Sequence, residues 1–154
     1  MGARVEPEQS RTDVVHLRNG FEAYGMVLDL LSRNAPFRHY DLDQISAAVR
    51  LQLLRGTHIA AMRERAIVGY FGWIRTNKVI AEAWSKNLGP LTPVPFSTSD
   101  AVAVTIVAAP DTRVLRHLVR HARSLHPQTT VFFKRQAAGK VRKSVVESMV
   151  FDPK

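Results

Sequence analysis

The stretch Ala101 to Ala109, AVAVTIVAA, is the tightest constraint in this sequence. An uninterrupted run of small and branched apolar residues offers no polar face to water, so it predicts a strand buried on both sides. Such a strand is central in its sheet and needs covering layers. Upstream, Phe21, Tyr24, Leu28 and Leu31, with Val27 and Leu30 beside them, fall at the three-and-four spacing of a helix that Asn34 and Pro36 stop. A second helix starts at Asp41, whose carboxylate is placed to cap the first turn while Gln44 reaches back. It runs through Leu42, Ile45, Val49 and Leu53 to the Arg55-Gly56 stop. Thr57 to Met62 and Ile67 to Ile74 lean to strand and share the charged turn Arg63-Glu64-Arg65, which predicts a hairpin. Thr76 to Trp84 predicts a short helix capped near Asn77. Pro90, Pro93, Pro95 and Gly89 make a loop of Asn87 to Asp100. After the central strand, Asp111 opens a helix to about Leu125, and Thr129 to Arg135 with Val141 to Val150 predict a last hairpin around Ala138-Gly139-Lys140. The order α-α-β-β-α-β-α-β-β, with strands paired mostly through hairpins, describes an α+β or three-layer domain.

Residues 1–20 read as a polar N-terminal arm and residues 21–154 as one domain. The absence of Cys excludes disulfides, thiolate metal sites and a Cys nucleophile, and fits a cytoplasmic location. No apolar run reaches the length of a membrane span, so no transmembrane segment is expected. The balance of 22 Lys and Arg against 13 Asp and Glu, a net charge of +9, calls for an acidic partner without naming it.

Much of that charge is patterned. Arg113, Arg116, His117 and Arg120 form one stripe on the helix that Asp111 opens, and Lys134, Arg135, Lys140, Arg142 and Lys143 cluster around the last hairpin. A small basic nucleic-acid-binding protein is one reading of such a surface. No aromatic residue interleaves with the charges, however, and an acidic acyl carrier protein suits the patch equally. His117 and His121 share a helix face, but no carboxylate accompanies them and Arg116 and Arg120 repel a cation, so no metal site is expected. His58, on a strand, and His126, before Pro127, read as structural or solvated. His39 sits in the interhelical segment Ala35-Pro36-Phe37-Arg38-His39-Tyr40, where an imidazole can serve as a general base or simply bond the backbone.

Four short motifs in order carry a family resemblance: Ala35-Pro36-Phe37-Arg38-His39, Ile67-Val68-Gly69-Tyr70-Phe71-Gly72-Trp73, Ser99-Asp100 through Ala109-Pro110, and Gly139-Lys140 with Val145-Val146. Spanning about Phe21 to Glu147, they resemble the toxin-activating lysine acyltransferases, which acylate internal lysines of RTX (repeats-in-toxin) protoxins. The resemblance implies a GNAT-like α+β acyltransferase fold, with a mostly antiparallel central sheet flanked by helices. It also implies an acyl-acyl carrier protein as donor with no bound cofactor, an RTX-type protoxin as acceptor, and leaves a homodimer open. The family's catalytic pair is a His after the first helix and an Asp on the central strand. A one-residue insertion brings His39 to the first position. The second, counted back from Ala109-Pro110, falls on Ile106, while Asp100 matches an earlier Asp of the motif and is the acid carried forward. Arg113, Arg116 and Arg120 become the candidate carrier-protein contacts. A catalytically degenerate relative that keeps only binding is the alternative that the Ile106 position raises.

Overall fold

In the computed structural model, which describes residues 10–135 and 145–150, the Ala101 run lies inside a sheet as its composition requires. The six strands follow chain order: β1 (Asp13–Val15), β2 (His58–Arg63), β3 (Ala66–Thr76), β4 (Ala101–Ala108), β5 (Thr130–Arg135) and β6 (Val145–Val150). Every neighbouring pair is antiparallel except β4 and β5, which run parallel. Helices α1 (Phe21–Ser32) and α2 (Leu42–Arg55) precede β2, α3 (Lys78–Ser85) links β3 to β4, and α4 (Thr112–Leu125) makes the crossover from β4 to β5.

The sheet is covered on both faces. On one, Ala23, Val27, Leu30 and Leu31 of α1 and Val49 and Leu53 of α2 bury against Ala60, Tyr70, Ile106 and Ala108. On the other, Val114, Leu118 and Ala122 of α4 bury against Ile59, Phe71, Trp73, Val102, Val104 and Val131. Fully buried side chains of this size contribute roughly 1.5–3 kcal/mol each, so the two clusters hold the layers together. Val102 and Val104 of β4 face α4, and Ile106 and Ala108 face α1 and α2, because one extra residue at Thr105 shifts the alternation to the other face of the sheet. This is why the run has no polar face.

Two glycines of β3 let the helices approach. A β-carbon on Gly69 would sit 2.7 Å from Val114 Cγ1 and 2.9 Å from Leu118 Cδ1, so α4 can lie this close only over a bare backbone. From the opposite face, the Gln52 side chain occupies the space where Gly72 would carry a β-carbon, 2.0 Å from Gln52 Oε1.

Several expectations need correction. Asp13–Val15 belongs to the sheet, paired to Ala60–Met62 as its edge strand, although its polar surroundings read as part of an arm. The buried face of α1 is Ala23, Val27, Leu30 and Leu31; Phe21, at the first position of the helix, is 93% exposed. Asp41 is the N-cap of α2 but its carboxylate makes no capping bond; its main-chain carbonyl accepts from Ile45 N–H, and the exposed side chain faces water. Asn77 does cap α3, accepting from Ile80 N–H, after Thr76 completes β3 rather than opening the helix. The β2–β3 turn is tight because Glu64 and Arg65 both adopt positive φ (49° and 66°), the twist a two-residue hairpin loop needs. The turn around Ala138-Gly139-Lys140, with Arg142 and Lys143, lies outside the described residues.

Substituting Gly72→Ala should cost about 1–3 kcal/mol, because the new methyl must displace a buried amide. Urea midpoints measure it. The Gly72→Ala, Gln52→Ala double variant should lose less than the sum of the single losses, since the clash needs both side chains.

Candidate active site

The geometry of β4 creates the site. It pairs with β3 along its length, but the register jumps between Ile106, opposite Gly72, and Val104, opposite Trp73, so Thr105 is an extra, bulged residue. With β5 it pairs only from Ala101 to Val104, opposite Thr130 to Phe133. Past Val104, therefore, the β5-facing edge of β4 has no ladder partner among the described residues. A cavity of about 590 Å³ occupies this divergence. Its wall includes Phe37 and Tyr40 from the α1–α2 connection and Leu115 and Val119 from α4. Because α1 and α4 lie on opposite faces of the sheet, the cavity runs through the gap between β4 and β5.

The wall is mainly apolar, with Phe71, Val104, Val107, Val131 and Phe133 adding to it. That composition suits a hydrocarbon chain. Two polar groups interrupt it. Lys134 Nζ donates to Asn87 Oδ1 at 2.8 Å and stands 4.5 Å from the centre of the Trp84 ring; partial burial lowers its pKa. Thr105 Oγ1 accepts from Gln52 Nε2 at 2.7 Å.

That last bond ends a buried chain. Tyr70 O–H donates to Gln52 Oε1 at 2.9 Å, and burial pushes its hydroxyl pKa up. The main-chain carbonyl of Gln52 lies 3.2 Å from His58 Nδ1, while Leu17 N–H donates to His58 Nε2 at 2.9 Å. Nε2 must therefore carry the lone pair and Nδ1 the proton, so His58 is a neutral ring locked by its backbone neighbours. Burial lowers its pKa accordingly. The result is a fixed polar spine from Leu17, just after β1, to the cavity wall. Gln52 accepts at its side-chain oxygen and donates at its nitrogen, which leaves the Thr105 hydroxyl hydrogen available to the cavity.

Of the residues singled out from sequence, His39 lies in a 3-10 turn, Phe37–His39, between two cavity-wall residues. It is exposed, and Arg38 Nε–H donates to its Nε2 at 3.0 Å. Asp100 is elsewhere. Its carboxylate accepts from Lys78 N–H at 2.8 Å, holding the start of α3, and it precedes Thr105 by about 16 Å of strand. The structure does not bring His39 and Asp100 together. Ile106, the strand position expected to hold an acid, is 2% exposed and packs into the α1–α2 cluster. Arg113, Arg116 and Arg120 are exposed along α4, on the helix that supplies Leu115 and Val119 to the cavity. Asp111 caps that helix, accepting from Arg113 N–H at 2.8 Å. Among the described residues no group of three or more His, Cys, Asp or Glu side chains is placed to hold a metal, and no helix is long and apolar enough to cross a membrane. His58 and His126 are both buried.

Gln52, Tyr70, Thr105 and Lys134 were not singled out for the site from sequence. Two of them left a trace: Gln52 is polar on the apolar stripe of α2 between Val49 and Leu53, and Thr105 is the one hydroxyl in AVAVTIVAA; Gly72 in turn marks the strand position where something must approach closely.

No family model matches the sequence and no curated protein is detectably similar to it. Among solved structures, the fold is similar to the loading GNATL domain of CurA from Lyngbya majuscula, with a TM-score of 0.60 and 13% identity over 80% of this chain. The chain covers 64% of that domain, under two thirds of its length. A mosquito arylalkylamine N-acetyltransferase like 5b is similar with a TM-score of 0.54 and 12% identity, over 83% of this chain and 78% of that one. At these identities the likeness is one of fold, and the chain has the GNAT-like α+β fold that its sequence motifs imply.

Tyr70→Phe removes the donor to Gln52 Oε1 inside the core and should cost about 1–3 kcal/mol in urea unfolding. Stability should also fall in acid. His58 and His126 both titrate below 6.5 in the fold, His126 at about 4, because burial disfavours their charged forms. The unfolded chain then binds protons that the native one does not. Their stabilisation is complete above about pH 6.5; that of His126 declines as pH drops toward about 4, by up to roughly 1.4 kcal/mol per pH unit, and that of His58 declines in the same direction. Urea midpoints at pH 7 and pH 5 should show this, and His126→Phe should flatten the slope.

Proposed function

We propose that the protein is an acyltransferase that receives a fatty acyl chain in the gap between β4 and β5 and passes it to an amine. The observation that carries the reading is the apolar cavity opened at the Thr105 bulge, beside a strand edge with no ladder partner. An acyl thioester seated there sets its chain against Val107, Leu115, Val119 and Phe133. Its carbonyl meets the free backbone edge of β4 and the Thr105 hydroxyl. Attack by an amine turns that carbonyl into a tetrahedral oxyanion, which amide and hydroxyl donors fixed in advance stabilise without reorganising. The amine must be neutral to attack; His39, at the rim, takes the proton it sheds, and collapse of the oxyanion breaks the C–S bond and expels the donor's thiolate, which takes up that proton. Arg38 occupies His39 Nε2, so the ring accepts a proton only after releasing that contact.

The motif resemblance supports the finer assignment. The donor is an acyl carrier protein, whose acidic surface meets Arg113, Arg116 and Arg120 on α4, and the acceptor is an internal lysine of an RTX-type protoxin. One observation favours a second reading, a carrier-binding relative without turnover: Ile106 puts a buried aliphatic side chain where the family has its acid, and among the described residues no Asp or Glu lines the cavity.

Incubation with acyl-loaded carrier protein and a candidate protoxin, followed by mass spectrometry of the lysines, decides between them. Acylation is the expected result. Carrier binding without acylation selects the second reading. Steeply salt-dependent retention on nucleic acid with no affinity for the carrier overturns both. In the active case His39→Ala should slow turnover by about 100-fold or more. Replacing Arg113, Arg116 and Arg120 by Gln should raise KM for the carrier with little change in kcat.

A further inference from the structure

A second cavity, of about 640 Å³, opens where α2 and α4 end, and the acyl reading makes no use of it. Its wall is chemically one-sided. Arg55 and Arg75 line it; among the described residues no Asp or Glu does, and neither arginine forms an ion pair with a carboxylate. Arg75 is half-buried, its guanidinium 4.3 Å from the centre of the Phe96 ring. Beside it stand two buried nitrogens without a hydrogen-bond partner among the described residues, Trp73 Nε1 and His126 Nε2, on rings that meet edge to face with centroids 4.9 Å apart. Both residues are more than nine-tenths buried, at 3% and 4% exposure.

The two arginines and the two unpaired ring nitrogens of this corner all donate, while Thr57 and His16, also on the wall, can either donate or accept. Indole Nε1–H can do nothing else. Arg75 Nη2, also donor-only, approaches His126 Nδ1 at 3.5 Å, so Nδ1 holds the lone pair and Nε2 the hydrogen. Two unpaired N–H groups and two guanidinium forks want acceptor oxygens. The charge sum sets how many. Two guanidinium charges face the C-terminal ends of α2 and α4, each carrying roughly half a negative charge, which leaves about one positive charge. A monoanion balances it; a phosphate dianion exceeds it. Leu51, Ile74, Val94, Pro95 and Phe96 make up the apolar remainder of the wall.

We infer that this cavity is a binding site for a small amphipathic monocarboxylate. Its carboxylate sits on Arg75 and Arg55, close to the Trp73 and His126 N–H groups, and its hydrocarbon or aromatic body lies along Val94, Pro95 and Phe96. Ligand binding here stands independently of acyl transfer.

The chain's two tryptophans make the test direct, because Trp73 lines this cavity and Trp84 lines the one at Thr105. In the Trp84→Phe variant, emission from Trp73 is followed while octanoate, benzoate, octanol or inorganic phosphate is added. Saturation with octanoate or benzoate, and none with octanol or phosphate, is the expected result, and the two carboxylates tell an aliphatic from an aromatic ligand. Arg75→Gln should weaken the carboxylate response at least tenfold and Arg55→Gln should weaken it further. Both side chains reach solvent, so neither change threatens the core, and circular dichroism checks that. Absence of saturation with either carboxylate overturns the assignment, as does equal affinity in the Arg55→Gln, Arg75→Gln double variant. So does a response that survives only in Trp73→Phe, because it would put the carboxylate in the cavity at Thr105.

Discussion

A single side-chain amide ties the three layers of this fold to its cavity. Gln52 leaves α2, passes through the space that Gly72 vacates in β3, and ends on the Thr105 hydroxyl of β4. A primary amide buried without partners would cost several kcal/mol, yet here Tyr70 and Thr105 satisfy both of its ends. The bulge at Thr105 is thus held by a bond from outside the sheet. Any change that lets Gln52 swing away also frees the strand distortion on which the divergence of β4 from β5 depends.

The sequence revealed the layers better than the site, and the reason is physical. Apolar runs and three-and-four spacing report burial, so Ala101 to Ala108, α2 and α4 stood out with nearly their true bounds. Burial patterns say little about a short edge strand such as Asp13–Val15, which contributes backbone bonds and a single half-buried apolar side chain, Val14. They also misjudged α1, where Phe21 looked like core because it is large and apolar, although it sits at the solvent end of the helix. The site was harder still. His39 drew attention as a titratable residue at a loop, whereas the groups that shape the cavity are an amide, a hydroxyl and a phenol, none of which titrates near neutral pH. Their signal was a polar residue in an apolar pattern, and it becomes meaningful only once Gly72 is seen to face Gln52.

The two cavities divide the molecule's chemistry along β3 and β4. Near Thr105 the wall is apolar with a few aligned donors, a setting in which a neutral chain is solvated by the protein and a developing negative charge is met by fixed dipoles. At Trp73 and Arg75 the wall carries net charge and unpaired N–H groups, a setting that selects for acceptors. Buried unpaired donors are uncommon in native folds. Two of them side by side mark the one corner where the packing of this chain is not self-sufficient among its described residues.

The cap of α4 bears on how a charged donor is held. A helix N-terminus with free amides attracts phosphate, but here Asp111 already supplies the anion, and its carboxylate spends the Arg113 amide. A phosphate brought to that end would meet like charge. The guanidinium groups of Arg113, Arg116 and Arg120 lie along the flank instead, so α4 grips an anion by its side rather than its tip. Recognition then reads a surface of distributed charge more readily than a single diphosphate, and the span of one helix face becomes the ruler for whatever docks there.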